Sequence, residues 1–413
     1  MSARPADIEA TLRLHGPAIL ASLIRRIGDF DLAEDGLQEA FVAALNAWPV
    51  AMPDNPRSWL ARVARNKAVD QIRRRQRFRA KQADLRFEQD QLQDVANDAS
   101  HDGDEEVAEQ DLLALIFTCC HPALALESQV ALTLRVVCSL PISAVARAFL
   151  VREEAMAQRL VRAKAKIRVA KIPYVVPAAT QLPERIEGVL AVLYLVFTEA
   201  YAGEPRLTLS AEVIDLARRL NGLIPGRKAV EGLLALMLLH GARQQARLDR
   251  QGDLVLLEDQ DRSLWNTDMI ADGLGLVDTA LRRPGRASNY AVQAAIAALH
   301  VQAPTPQETD WDQIVGLYDV LLRLDPTPVV ALNRAAAVAM AQGPAAGLLE
   351  IERLDTAGEL KDYFPRLAAK AELLRRMGQW EAARQAYRQA VALAPFAAER
   401  RLMQRRLDAL GVP

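Results

Sequence analysis

Residues 55–79 read NPRSWLARVARNKAVDQIRRRQRFR, and this stretch decides how the rest of the chain is understood. Asn55-Pro56 is a helix start with a mechanism: an Asn side chain that accepts from the first turn, then a proline whose missing N–H costs nothing there. Leu60, Ala64, Ala68 and Ile72 recur every four residues, which predicts one apolar stripe along a helix. Arg62, Arg65, Asn66, Arg73 and Arg77 are expected on the opposite side. Between Arg57 and Lys81 stand ten Lys/Arg and one acid, Asp70, a local charge of +9. A rigid helix with a basic face is a means of tracking nucleic-acid phosphates.

Directly after it the charge reverses. From Asp84 to Asp111 there are eleven acids and one arginine, Arg86, a charge of −10. Large apolar residues are sparse there and no period is sustained, so 81–111 is expected to be an acidic, flexible linker. Upstream, residues 8–27 predict an amphipathic helix. The following LAEDGLQEAFVAALNAW (32–48) predicts another, with Leu37, Phe41, Ala44, Leu45 and Trp48 inward. Glu34, Asp35, Gln38 and Glu39 line its acidic, exposed side. Residues 1–80 thus read as a three-helix unit.

Helical patterning resumes at Leu112. Residues 142–171, ISAVARAFLVREEAMAQRLVRAKAKIRVAK, have the layout of a helix-turn-helix. A short helix is followed by a turn at Leu150-Val151. A longer helix then buries Met156, Leu160, Ala163 and Ile167 and exposes Arg152, Gln158, Arg159, Arg162 and Lys166. Pro173 to Pro183 is a proline-marked linker. The remaining residues, 184–413, read as helices, with one polar break at LDRQGDLVLLEDQDRS (248–263) that suggests a short hairpin of no assigned purpose. From about residue 311 an internal repeat is visible. YDVLLRLDP and YRQAVALAP place Tyr318 and Tyr387 eight residues before Pro326 and Pro395, 69 residues apart. That is close to twice the roughly 34-residue tetratricopeptide period. Gly378, Ala383, Tyr387, Ala390 and Pro395 fit such a repeat's turn, contacts and stop, and Gly343 marks the turn before.

The totals agree with an all-α chain. Half of the 413 residues are apolar, aromatics are 5%, and the net charge is −1. The three cysteines, Cys119, Cys120 and Cys138, form no disulfide framework and fit a reducing cytoplasm. The first residues lack a signal-peptide core, and no 18-residue apolar run is present, so no membrane span is expected. Catalytic signatures are missing: no GxxxxGK[ST], GxGxxG, GxSxG or HExxH occurs. Cys119-Cys120-His121 is a poor chelating set and reads as buried side chains. His15, His101, His240 and His300 have no partners in sequence. Glu184 with Glu187, and Glu258 with Asp259 and Asp261, read as solvated charges. No enzyme activity and no cofactor are expected.

With those residues in view, the chain resembles the sigma factors of bacterial RNA polymerase, of the two-domain extracytoplasmic-function type within the sigma-70 superfamily. Residues 32–48 are similar to region 2.2, with its AEDLxQExF-like core. Trp59, Leu60, Arg65, Asn66, Asp70 and Arg73–Arg75 match the WLxRIARNxxxDxxRRxxR pattern of regions 2.3 and 2.4. Residues 112–172 resemble region 4, and 184–413 resemble the long C-terminal extension of one subgroup, in which that extension is expected to regulate activity.

The resemblance implies three surfaces. Glu34, Asp35, Gln38 and Glu39 would bind the clamp helices of the polymerase core. Arg62, Arg65, Asn66, Asp70, Arg73 and Arg74 would engage the melted −10 element, where an unstacked base is read on its edge. Arg152, Gln158, Arg159, Arg162 and Lys166 would face the −35 element in the major groove. The family's recognition helix commonly reads TVKSRLxRA, where this chain has Ala155-Met156-Ala157-Gln158-Arg159-Leu160, so the −35 sequence does not carry over. The partners implied are core RNA polymerase and promoter DNA, with an unidentified protein or ligand at the extension. Two other readings stay open: a DNA-binding regulator that does not use core polymerase, and a tetratricopeptide-type scaffold.

Overall fold

A computed structural model describes residues 4–80, 105–149, 151–202, 207–358 and 360–410. Apart from one isolated bridge between Leu248 and Leu254, the described residues hold helices, turns and loops and no strand. Residues 1–193 and 194–413 form two compact units. The division falls about ten residues beyond the expected start of the extension, inside a helix.

In the first unit, α1 (Pro5–Ile27), α2 (Phe30–Ala47) and α3 (Pro56–Ala80) pack together. Asp29 caps α2, its carboxylate accepting from the N–H groups of Asp31 and Leu32. Asn55 Oδ1 accepts from Ser58 N at 3.0 Å, so α3 begins where the Asn-Pro signal put it. The α2–α3 crossing is closest at Gly36, where a Cβ would lie 2.8 Å from Ala64 O and 2.9 Å from Ala68 Cβ. The stripe of Leu60, Ala64 and Ala68 is fully buried against Leu37, Ala40 and Ala44, and Trp48 packs edge-on to Trp59 with centroids 5.5 Å apart. Burial of each Leu-sized side chain contributes about 1.5–3 kcal/mol. Leu45, expected inward, is 50% exposed. Position 44 takes the inward place beside Leu37 and Ala40, and one residue further turns the side chain 100° away.

The acidic linker is shorter than expected. Residues 81–104 lie outside the described residues, but Glu105–Asp111 form the first turns of α4 (Glu105–Cys119). Asp111 is buried, and Arg25 Nε donates to it at 2.6 Å. The apolar run Leu112–Phe117 buries against α1 and carries the helix backwards into the acidic stretch. α5 (Leu126–Leu132) runs on through a π-helical turn, then α6 (Ile142–Ala148) and α7 (Glu153–Val169) follow. α7 buries Met156, Leu160, Ala163 and Ile167. All three cysteines are buried and none is in a disulfide, and burial pushes the thiols of Cys119 and Cys120 up.

The proline-marked segment after α7 is tied down rather than loose. Tyr174 Oη lies 2.9 Å from Ala21 O and 3.1 Å from Asp111 O, and its one proton donates to either carbonyl.

The second unit takes up the chain within α8 (Leu182–Ala202) and continues with α9 (Leu207–Leu223), α10 (Lys228–Gly241), α11 (Thr267–Arg282) and α12 (Asn289–Gln302). Six helices then follow in succession, α13 (Trp311–Leu324), α14 (Pro328–Ala341), α15 (Pro344–Thr356), α16 (Phe364–Arg376), α17 (Trp380–Leu393) and α18 (Ala397–Ala409), with the glycine turns at Gly343 and Gly378 joining α14 to α15 and α16 to α17, which pack extensively on one another. Each helix packs on the next, which is the nearest-neighbour order of a helical repeat. Ala383, Tyr387 and Ala390 are buried on one face of α17, and Gly378 turns the chain ahead of it with φ +74°. The fold is all-α with a tetratricopeptide-like end.

Candidate nucleic-acid and polymerase interface

The exposed face of α3 is narrower than its sequence suggests. Arg62, Asn66, Asp70, Arg73 and Arg74 are exposed; the side chains of Arg75, Arg77 and Arg79 lie outside the described ones. Arg65 departs from expectation: it is buried, at 8% exposure. Residue 65 lies four before the buried Val69, so Arg65 and Val69 broaden the buried arc beyond the Leu60–Ala68 line. What remains is a line at spacings of four, four and three or four: Arg62, Asn66, Asp70, then Arg73 and Arg74. It places two polar groups able to read a base edge between guanidiniums able to hold phosphates.

The acidic group on α2 does not form one open face. Asp35 and Gln38 are exposed. Glu39 accepts from Gln71 Nε2 at 3.0 Å and pairs with Lys67 at 3.1 Å, both on α3. These two donors hold its carboxyl below the usual range. Glu34, 13% exposed, is paired with Lys164 Nζ at 3.1 Å and Arg135 at 3.6 Å. Lys164 also donates to Asp31 at 2.9 Å. Burial works against the Lys164 charge, but Glu34 and Asp31 outweigh it and raise its pKa. One predicted residue is thus held by α7 and by the π-helical turn after α5, within the same unit. Lys164 was not expected here. It stands four residues after Leu160, on the flank of the buried stripe, and that spacing was the available signal.

Arg152 at the N-cap of α7, and Gln158, Arg162 and Lys166 on it, are exposed. Arg159 is drawn inward: it pairs with Glu127 at 3.0 Å and sits over the Phe149 ring, 5.3 Å from the centroid. Leu150, in the expected turn, lies outside the described residues. A cleft of about 370 Å³ opens between the α1–α2 corner and α7, walled by Arg25, Asp31, Lys164, Arg168 and Tyr174.

A capped basic helix thus crosses an acidic one at Gly36, in the same unit as a second basic helix. Residues 11–78 match the family described as Sigma-70 region 2. Residues 185–281 match a Family of unknown function (DUF6596). The chain belongs to the sigma-70 family, in a form with a long C-terminal extension. It is 42% identical over 409 residues to the "Uncharacterized protein R00370" of Rhizobium meliloti (strain 1021), covering 96% of this chain and 94% of that protein. Over 104 residues it is 36% identical to the "Probable ECF RNA polymerase sigma factor SigI" of Mycobacterium tuberculosis, covering 25% of this chain and 31% of that one. Among solved structures, the P58(IPK) TPR domain is similar at a TM-score of 0.25 and 13% identity, covering 98% of each chain. The helical-repeat assignment rests on this chain's own helix pairs. No helix among the described residues is long and apolar enough to cross a membrane.

Proposed function

We propose that this chain directs core RNA polymerase to specific promoters and initiates transcription there, with the C-terminal helices as a regulatory part. The observation that carries this reading is the exposed line Arg62, Asn66, Asp70, Arg73 and Arg74 on a helix fixed at both its cap and its crossing. In this reading residues 1–80 hold the −10 element and the core, 81–111 run as an acidic tether up to its helical end, and 112–172 hold the −35 element. Asn66 and Asp70 read an unstacked base while the arginines hold its phosphates. Asp35, Gln38, Glu39 and Glu34 contact the core. Arg152, Gln158, Arg162 and Lys166 face the major groove, with Arg159 joining them when it leaves Glu127. Bond making belongs to the polymerase, and this chain supplies position and strand opening.

Run-off transcription with purified core polymerase and a promoter library tests the reading. Specific initiation that falls about tenfold or more in Asn66→Ala, at unchanged core binding, is the expected result. Promoter binding without core dependence would instead support a DNA-binding regulator. No DNA dependence at all would leave a repeat-type scaffold.

A further inference from the structure

The polar break at 248–263 builds one wall of a charged cleft in the second unit. The chain turns at the Leu248–Leu254 bridge, with Asp249 accepting from Gln251 and Asp253, and Asp261 then caps the turn that carries Arg262. Arg262 Nη1 donates to His300 O at 3.2 Å and to Ala303 O at 2.5 Å, and its guanidinium lies 4.5 Å from the Trp265 ring centroid. Its Nε is buried without a partner. Behind it lie Arg243 and Arg247. Arg243 is 6% exposed, has an Nη2 2.9 Å from His240 Nδ1, and has a buried Nε with no partner. Arg247 stacks on Tyr201 at 3.8 Å.

Three guanidiniums and two imidazoles therefore share one interior. Burial, then Arg243 and Arg262, lower the His300 pKa to about 4, and His240 is likewise pushed down. Both histidines stay neutral near pH 7 and add no positive charge. The carboxylate acting on Arg247 is Glu399, whose pKa burial raises and whose Oε2 has no partner, and Glu258 lines the exposed mouth in front of Arg262. A half-desolvated cationic cluster with so little buried counter-charge is costly unless an anion completes it.

The opening onto this cluster is a cleft of about 170 Å³ lined by Arg262 and His300 on the inside, with Leu256, Leu257, Trp311 and Met340 as apolar walls. Glu258 stands at its exposed mouth. An apolar cavity of roughly 150 Å³ admits a benzene ring. We infer that this cleft is a binding site for a small organic monocarboxylate of about benzoate size. Its carboxylate would sit against the Arg262 guanidinium and its body against Trp311 and Leu257. A phosphate fits less well: it brings a second charge and a hydration shell into apolar walls that offer few donors. The inference holds whether or not the chain binds polymerase.

Calorimetry and thermal denaturation of the full chain test it, with benzoate, butyrate, inorganic phosphate and chloride compared at constant ionic strength. Saturable stabilisation by benzoate beyond chloride is expected. Arg262→Gln should weaken it about tenfold or more, and Glu258→Gln, which removes a like charge at the mouth, should tighten it about twofold. Because Arg262 also holds two carbonyls, Met340→Trp serves as a second variant that narrows the cleft, and it should abolish benzoate binding in a protein that still folds. The inference is overturned if benzoate stabilises no more than chloride, if phosphate alone binds, or if Met340→Trp and Glu258→Gln bind benzoate as the parent does.

Discussion

At the residue scale, small side chains carry as much of the design as charged ones. Gly36 lets α2 and α3 approach until a methyl group has no room, with backbone on one side and Ala68 on the other. Gly36→Ala should therefore destabilise the first unit by about 1–3 kcal/mol despite its better helix propensity, because neither neighbour is a flexible side-chain end. Chemical denaturation reads this directly, and a variant as stable as the parent would refute the close crossing. The buried histidines make a second prediction. His300 titrates near 4 when folded and near 6.5 when unfolded, so below about 6.5 the unfolded chain binds the extra proton. Stability is complete above that pH and falls as the pH drops towards 4, by an upper figure of about 3 kcal/mol for this one group. His240, pushed down mainly by burial and then by Arg243, acts in the same direction. Denaturation midpoints at pH 7 and pH 5 should differ with that sign, and His300→Gln should reduce the difference.

At the element scale, the repeats are held by a few internal polar contacts among alanine-lined faces. Tyr387, buried on α17, donates to Glu372 Oε2 of α16 at 2.8 Å. Glu372 also receives Arg375 at 2.7 Å and Arg406 of α18. One carboxylate thus links three successive helices. Tyr387→Phe keeps the ring but removes one donor from a group with two others, and should cost about 0.5–1.5 kcal/mol. Glu372→Gln strikes both arginines as well and should cost more. If the two variants unfold at the same denaturant concentration, the linking role of the carboxylate is wrong. The same logic explains α3 and α4: a helix's polar face is set by what its neighbours leave uncovered. Arg65 and Asp111 were both taken in by neighbouring apolar surface, the one on the flank of a stripe, the other at the head of one.

At the scale of the whole molecule, the first unit is closed on itself. Lys164 and Arg135 hold Glu34, Lys164 holds Asp31, Arg25 holds Asp111, and Tyr174 pins the segment after α7 to α1. If Glu34 contacts the polymerase core, as proposed above, these pairs compete with that contact. Lys164→Ala should then lower the stability of the unit by about 1–2 kcal/mol and yet tighten core binding about threefold, since the cost of opening falls. Anisotropy titration of labelled protein with core polymerase measures it. Weaker or unchanged binding would show that the Lys164 contact and the core contact do not exclude one another.

Much of this was legible in the sequence, because it rests on local rules. The Asn55-Pro56 start, the Leu60–Ala68 stripe, the four buried positions of α7, the all-α composition and the repeat ending at Pro395 follow from caps, helical period and spacing, which neighbours rarely override. Tertiary structure decided where an exposed face ends and which charges meet. Burial of Arg65, the helical start at Glu105, capture of Glu34 by a lysine 130 residues away in sequence, and the convergence of Arg243, Arg262 and His300 all depend on long-range packing. A charge in the sequence carries a sign but no partner. In water its cost is small wherever it points, and only desolvation by a distant segment makes its partner, or the lack of one, matter. The basic helix at 55–79 was therefore readable from its own residues, whereas the cationic cleft behind the hairpin came into view only when three separated segments closed around it.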